Sequence, residues 1–239
     1  MSELLETLKK GLKEMGIEIT ESQLECFQLF YRLIVEENKK NNITAIVDEQ
    51  EFAVKHFIDS LTCLKAGMFN DGMKLMDIGT GAGFPGIPLK ICRPGLEVVL
   101  IESQAKKVKF LLKVIRAMDL KNISAMHTRA EEIGRKTFYR GYCDLVTARA
   151  VAELRVLAEY CLPVVKIGGF FLAMKGPKLF EELAAAEKAV NILGGEIAKI
   201  IKLNLPVTGD ERNLVVVKKI KPTPEKYPRR PGVPLKKPV

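Results

Sequence analysis

Residues 75–86 read Leu-Met-Asp-Ile-Gly-Thr-Gly-Ala-Gly-Phe-Pro-Gly, a short apolar run that carries one acid, Asp77, and then breaks into Gly79, Gly81 and Gly83. Alternating glycines after a strand let the backbone turn sharply through φ values other residues avoid. They also remove the Cβ atoms that would hold a ligand off the main chain. The chemistry this implies is a cofactor cradle. A dinucleotide fingerprint, Gly-x-Gly-x-x-Gly, would need glycine at position 84, where the chain has Phe84. A glycine-rich turn with a purely structural job would look the same, so the residues downstream decide. The segment Glu97-Val98-Val99-Leu100-Ile101-Glu102 reads as a second strand ending in an acid. In a doubly wound fold, an acid about 20 residues past the glycines stands where a ribose presents its hydroxyls. Glu102 has that register; the plainer alternative is a solvated strand end.

Two more strand ends can carry chemistry. Thr128-Arg129-Ala130-Glu131-Glu132 follows the third expected strand, where this architecture holds an adenine against a backbone amide and a nearby carboxylate. Arg149 follows the fourth, at the carboxyl edge where ligands bind. Its guanidinium either faces the cofactor and substrate cleft or binds an internal carboxylate or helix carbonyl, and the cleft is the reading favoured here. Lys175 ends the fifth strand, before Gly176-Pro177. No metal is expected: only His56 and His127 offer imidazole, neither with clustered partners, and Cys26, Cys63, Cys92, Cys143 and Cys161 form no Cys-x-x-Cys pair. Odd in number and widely spaced, the cysteines suggest no disulfide framework either, which fits a reducing, cytoplasmic compartment.

These residues need a scaffold, and the hydrophobic pattern supplies one. The first seventy or so residues look helical. Thr20 and Gln23 form a capping box, after which Leu24, Phe27, Tyr31 and Ile34 recur on one face, a core stripe. Asn41 and Asn42 end that helix, and another is expected from Glu49 to Lys65. From Lys74 the chain alternates strand and helix, the pattern of a parallel sheet covered on both faces. Strands are expected at Lys74 to Ile78, Glu97 to Ile101, Ile123 to His127, Cys143 to Ala148, Gly169 to Met174, Glu196 to Leu203 and Asn213 to Lys219. The fold class is therefore α/β, Rossmann-like, with a mostly parallel seven-stranded sheet and an N-terminal helical extension. The expected division is a helical region over 1–72, the catalytic domain over 73–221 and a basic, proline-rich tail over 222–239.

Composition agrees. The chain has 239 residues, 47% of them hydrophobic, and no run near the roughly 18 apolar residues a membrane span needs, so no membrane role is expected. Its start is acidic and amphipathic, unlike a signal peptide. The net charge of +9 suggests a polyanionic partner. From Lys218 to Val239 there are eight basic residues, one acid and six prolines, a composition that argues against a helix or central strand. That tail is either a disordered solubilising end or an RNA-contacting arm. After Glu102, with Ser103 expected as N-cap, Lys106, Lys109, Lys113 and Arg116 form a stripe that reads first as a solvated helix face and second as a nucleic-acid steering surface.

The spacing Gly-x-Gly-x-Gly with Asp77 ahead of it resembles the first motif of the S-adenosylmethionine (SAM) methyltransferases, whose class I fold has seven strands. The segments Asn42–Ala45, Lys55–Leu61, Asp77–Gly86, Thr147–Val151 and Tyr227–Pro234, in this order along nearly the whole chain, resemble the RsmG (GidB) family of bacterial rRNA methyltransferases. That resemblance implies methylation of N7 of one guanine in the decoding-region loop of 16S rRNA, with SAM as donor and S-adenosylhomocysteine as product. The substrate would be the rRNA, the small ribosomal subunit or an assembly intermediate. It also implies cofactor contacts at Gly79, Phe84, Ala130, Glu131 and Arg149. Gly81 and Gly83 join them from the cradle argument, and Glu102 from fold geometry.

What is missing fits that reaction. Methylation of an exocyclic amino group commonly uses an acid or asparagine followed by Pro-Pro and an aromatic residue after the fourth strand; here the sequence is Ala148-Arg149-Ala150-Val151. Guanine N7 already presents an in-plane lone pair, so no general base is required. Alignment alone can supply about 7 to 11 kcal/mol of barrier reduction. Arg149 and Lys175 are the candidates for positioning a flipped guanine or its phosphate. A SAM enzyme acting on a small molecule or protein, and a non-catalytic RNA-binding module, are the rival readings.

Overall fold

The computed structural model describes residues 2–239. Its strands are β1 (Lys74–Ile78), β2 (Glu97–Glu102), β3 (Ile123–His127), β4 (Cys143–Arg149), β5 (Val165–Lys175), β6 (Gly195–Asn204) and β7 (Glu211–Lys219). They form one sheet in the order β3-β2-β1-β4-β5-β7-β6. The pairs among β1 to β5 are parallel, and β7 runs antiparallel to both its neighbours.

Successive side chains of a strand point to opposite faces, and that alternation splits the interior in two. Leu75, Leu145, Leu172 and Leu214 enter one core, while Met76, Val146, Phe171 and Val215 enter the other. The first core is filled by the helices Glu3–Glu14, Glu21–Asn41, Gly86–Cys92 and Ala105–Ala117, and the second by Leu154–Cys161 and Leu179–Ile192. Leu4, Leu8 and Leu12, spaced four apart, seat the first helix against the segment Glu49–Ile58 and the helix Glu21–Asn41. The chain leaves β1 toward β2 and β3, then returns to β4 on the other flank. Such a reversal opens a crevice beyond the carboxyl ends of the strands, where ligands of this architecture sit.

The capping box is present: Thr20 Oγ1 accepts from Gln23 N–H at 3.2 Å, and Gln23 Oε1 accepts from Thr20 N–H at 2.9 Å. Three local expectations change. The helical stretch expected over Glu49 to Lys65 is not uniform, because Ala53–Ile58 is a π-helical turn between short α segments, followed by the 3-10 turn Thr62–Ala66. A π turn widens the helix and re-aims its side chains, here at Lys55 and His56. Ser103 is not the N-cap. The helix begins at Ala105 behind Gln104, and the Ser103 hydroxyl donates to Glu102 Oε1 at 3.4 Å instead.

The tail is neither a disordered end nor without helix. Arg140 clamps it through Nη1 to the Tyr227 carbonyl (2.7 Å) and Nη2 to the Thr223 carbonyl (2.8 Å). Tyr227 enters the second core, and Val233–Lys236 forms a helical turn with Pro234 inside its first positions, where a missing N–H costs nothing. Among the described residues no helix is long and apolar enough to cross a membrane, and no group of three or more His, Cys, Asp or Glu side chains could hold a metal ion.

Candidate functional site

The glycine turn after β1 is held from below by Asp77. Its Oδ2 accepts from the Thr80 hydroxyl (2.6 Å) and from Gly86 N–H (2.9 Å), and Oδ1 accepts from the Thr147 hydroxyl (3.2 Å). Complete burial pushes this carboxyl up to about 6, against those hydrogen bonds, which favour the charged form. Asp77 therefore fastens the loop and faces no cavity. Gly79, Gly81 and Gly83 all have positive φ, at 70°, 61° and 108°. Their open sides differ. A Cβ on Gly83 would stand 2.5 Å from Ile87 Cδ1, so that glycine serves packing, whereas one on Gly81 would meet nothing within 4 Å. A Cβ on Gly79 would stand 2.6 Å from Val151 Cγ2, inside a cavity wall.

That cavity, of about 160 Å³, lies beyond the ends of β1, β2 and β3. Its walls include Gly79, Ile101, Thr128, Ala130, Glu131 and Tyr160. An apolar floor, a bare glycine backbone and the buried Glu131 carboxylate offer the apolar and polar contacts that the base of a SAM-type cofactor requires. Burial, followed by the charge of Glu131, holds the Tyr160 hydroxyl above the ordinary phenol range, so it stays a neutral donor. Glu102 is not a wall of this cavity. Its Oε2 accepts from Gly81 N–H (3.0 Å) and its Oε1 from Gln104 N–H (2.8 Å), so the acid at the tip of β2 braces the glycine loop.

A second cavity, of about 400 Å³, opens beyond the ends of β4 and β5. Lys55, His56, Asp59, Arg149, Lys175 and Arg212 line it. Asp59 is its hinge: Oδ2 accepts from Arg149 Nη1 and Oδ1 from Arg212 Nε, each at 3.0 Å. Arg149 Nη1 also donates to the Lys55 carbonyl (3.1 Å), and its guanidinium stands 5.1 Å from the Phe84 ring centroid. The His56 ring stacks on Phe84 at 4.6 Å with an interplanar angle of 7°. Burial, then the Arg149 charge, pushes the His56 imidazole down to about 3, so it is neutral. Because a guanidinium only donates, Nδ1 of His56 accepts from Arg149 Nη2 (3.4 Å), and Nε2 carries the hydrogen that faces Thr44 Oγ1 (2.9 Å).

The residues expected from sequence thus divide. Gly79, Ala130 and Glu131 meet at the first cavity; Gly81 faces open space beside it, and Gly83 is turned into packing. Arg149 sends its guanidinium into the second cavity, and Phe84 packs beside it in an aromatic cluster with Phe30, Phe52 and Phe57. Lys175 reaches the second cavity, but its Nζ is matched by Glu182 Oε1 at 2.6 Å. One turn separates the cavities: Val151 borders the first, Ala150 and Ala152 the second. Ala150 adopts φ 55°, a left-handed conformation costing an alanine about 1 to 2 kcal/mol, which throws neighbouring side chains to opposite sides. Sequence reasoning missed His56, Asp59 and Arg212. The first two lie in the segment Lys55–Leu61 that carries part of the family resemblance, but nothing in it assigned them a role.

This pairing of cavities on a seven-stranded sheet defines a class I SAM-dependent methyltransferase fold. A SAM-dependent methyltransferase from Aquifex aeolicus aligns with a TM-score of 0.55 at 18% identity, over 75% of this chain and 97% of its own. The family GidB, described as rRNA small subunit methyltransferase G, matches residues 23–215. The ribosomal RNA small subunit methyltransferase G of Pelotomaculum thermopropionicum is 59% identical over all of both chains. That of Bacillus subtilis is 46% identical over 98% of each. The chain belongs to the rRNA small subunit methyltransferase G family.

Proposed function

We propose that this protein methylates N7 of one guanine in the decoding-region loop of 16S rRNA, acting in the cytoplasm on the rRNA, the small subunit or an assembly intermediate. The observation that carries the reading is the meeting of a glycine-walled cavity and a cavity lined by lysine and arginine across a single turn, Arg149–Ala152. When bound, SAM supplies an electrophilic methyl group on its sulfonium. The chain does the rest by holding and aligning. Gly79 and Gly81 let the cofactor approach the main chain, Ala130 and Glu131 receive its adenine, and Glu102 acts through the loop it braces. We assign this chemistry to residues 73–221, with the helical region 1–72 supplying the His56–Asp59 wall and residues 222–239 a packed edge.

No proton acceptor is needed at N7, and none is offered. His56 has both ring nitrogens engaged, and Asp59 is divided between two guanidinium groups. Arg149, immobilised by Asp59 and Phe84, positions the guanine or its phosphate, with Lys175 the second positioning residue. Fixing the nucleophile near the methyl group draws on the same alignment effect, about 7 to 11 kcal/mol. The test is transfer of labelled methyl from SAM to small subunits, total RNA and protein extract. Borohydride and aniline treatment of the labelled RNA follows, which breaks the chain at N7-methylguanosine. Label in 16S rRNA with one aniline-sensitive site supports the proposal; label in protein, or in RNA that resists scission, overturns it.

A further inference from the structure

The basic tail comes back to the first cavity. Leu235, on the short helical turn Val233–Lys236, is one of that cavity's walls, yet 58% of its surface is exposed. Its neighbour Pro234 is buried. A large apolar side chain held at the rim of an apolar-floored cavity is surface for a ligand to cover.

The segment is fixed in that place at two points, Arg229 and Gly232. Arg229 is bound to Glu159, which is fully buried, by its backbone N–H (2.7 Å to Oε1) and by its guanidinium (Nη2 to Oε2 2.5 Å). Gly232 N–H donates to Glu131 Oε1 at 2.9 Å, and Gly232 has φ 81°, a conformation glycine takes without strain. Glu159 precedes Tyr160 on one helix, and Glu131 follows Ala130 on another. Both anchors therefore adjoin cavity walls, and Glu131 is itself one.

We infer that residues 229–235 are a strap completing the cofactor site, and that Leu235 packs on the purine-nucleoside end of the cofactor. This rests on the SAM reading above and adds a binding residue from a segment whose charge had pointed to RNA. The strap's role is to cover the nucleoside, and one of its two basic residues, Arg229, is spent on anchoring to the buried Glu159.

The experiment is calorimetric titration of the full-length protein with S-adenosylhomocysteine and with 5′-methylthioadenosine, which keeps the base and ribose but lacks the amino-acid end. Wild type is compared with Leu235→Ala and Leu235→Asp. Because Leu235 is largely exposed, both variants keep the wild-type melting temperature without ligand. Leu235→Ala weakens both ligands by roughly tenfold, the worth of about half a buried leucine contact, and Leu235→Asp weakens them further. If wild type does not bind S-adenosylhomocysteine, the SAM reading itself fails. If wild type binds and Leu235→Asp binds within twofold of it, the strap inference is overturned. Weakening of S-adenosylhomocysteine alone, with 5′-methylthioadenosine unaffected, overturns the assignment to the nucleoside end.

Discussion

Replacing Arg229 by methionine keeps most of the apolar stem and removes the guanidinium from a carboxylate that has no access to water. Glu159 is 0% exposed and takes Nε at 2.9 Å and Nη2 at 2.5 Å from that guanidinium. Removing one partner of a buried pair typically costs about 3 to 5 kcal/mol, because the other charge stays desolvated. In Arg229→Met the backbone N–H of residue 229 still reaches Oε1, at 2.7 Å, so one donor survives and the lower end, about 3 kcal/mol, applies. Urea unfolding followed by circular dichroism reads this directly. Adding Glu159→Gln should recover most of the loss, since a buried amide costs far less than a buried charge. A loss under 1 kcal/mol, or no recovery in the double variant, would refute the reasoning. The same variant separates anchoring from RNA contact: each phosphate contact adds about 0.9 to the slope of log affinity against log salt. Arg229→Met should leave that slope unchanged.

Gly79→Val should abolish S-adenosylhomocysteine binding in a folded protein, through backbone strain at φ 70° and collision with Val151; titration at wild-type affinity would make the glycine loop merely structural. Arg149→Ala should collapse single-turnover methylation while sparing S-adenosylhomocysteine affinity, because the guanidinium lies in the second cavity; full activity would reduce it to a structural arginine. For Asp77 the folded carboxyl titrates near 6, above its ordinary 3.8, so between these values the folded state binds more protons than the unfolded one. Stability therefore falls as pH rises from about 4 to 6, by about 3 kcal/mol from this group. Urea midpoints across that range should show the decline in wild type and lack it in Asp77→Asn, and parallel curves would contradict it.

Much of the sheet was legible because each strand is a short β-branched or apolar run that alternates with a helix, and the glycine turn announced the switch point. The ends of strands were less so: β5 starts at Val165, before Gly168 and Gly169, where glycine weakens the local signal. The site was legible where it depends on backbone, as at Gly79 and Ala130, and opaque where side chains choose partners. Nothing in the spacing of Glu102 says that Gly81 and Gln104 will occupy its oxygens, or that Asp59 will pair with Arg149. The tail misled because proline and charge describe a free chain in water. They do not register a buried acid such as Glu159, which converts a basic residue into a fastener.

The Asp59 junction has a consequence for heat. It ties residue 59 to partners 90 and 153 positions away, from β4 and β7, so the second cavity exists only while the N-terminal helical layer is docked on the sheet. That layer is also buried in the first core, where Phe27, Phe30 and Phe57 share one cluster with Leu75, Leu145 and Leu172 of the sheet. Warming should therefore dismantle the second cavity and the packing of the sheet together, in one cooperative transition.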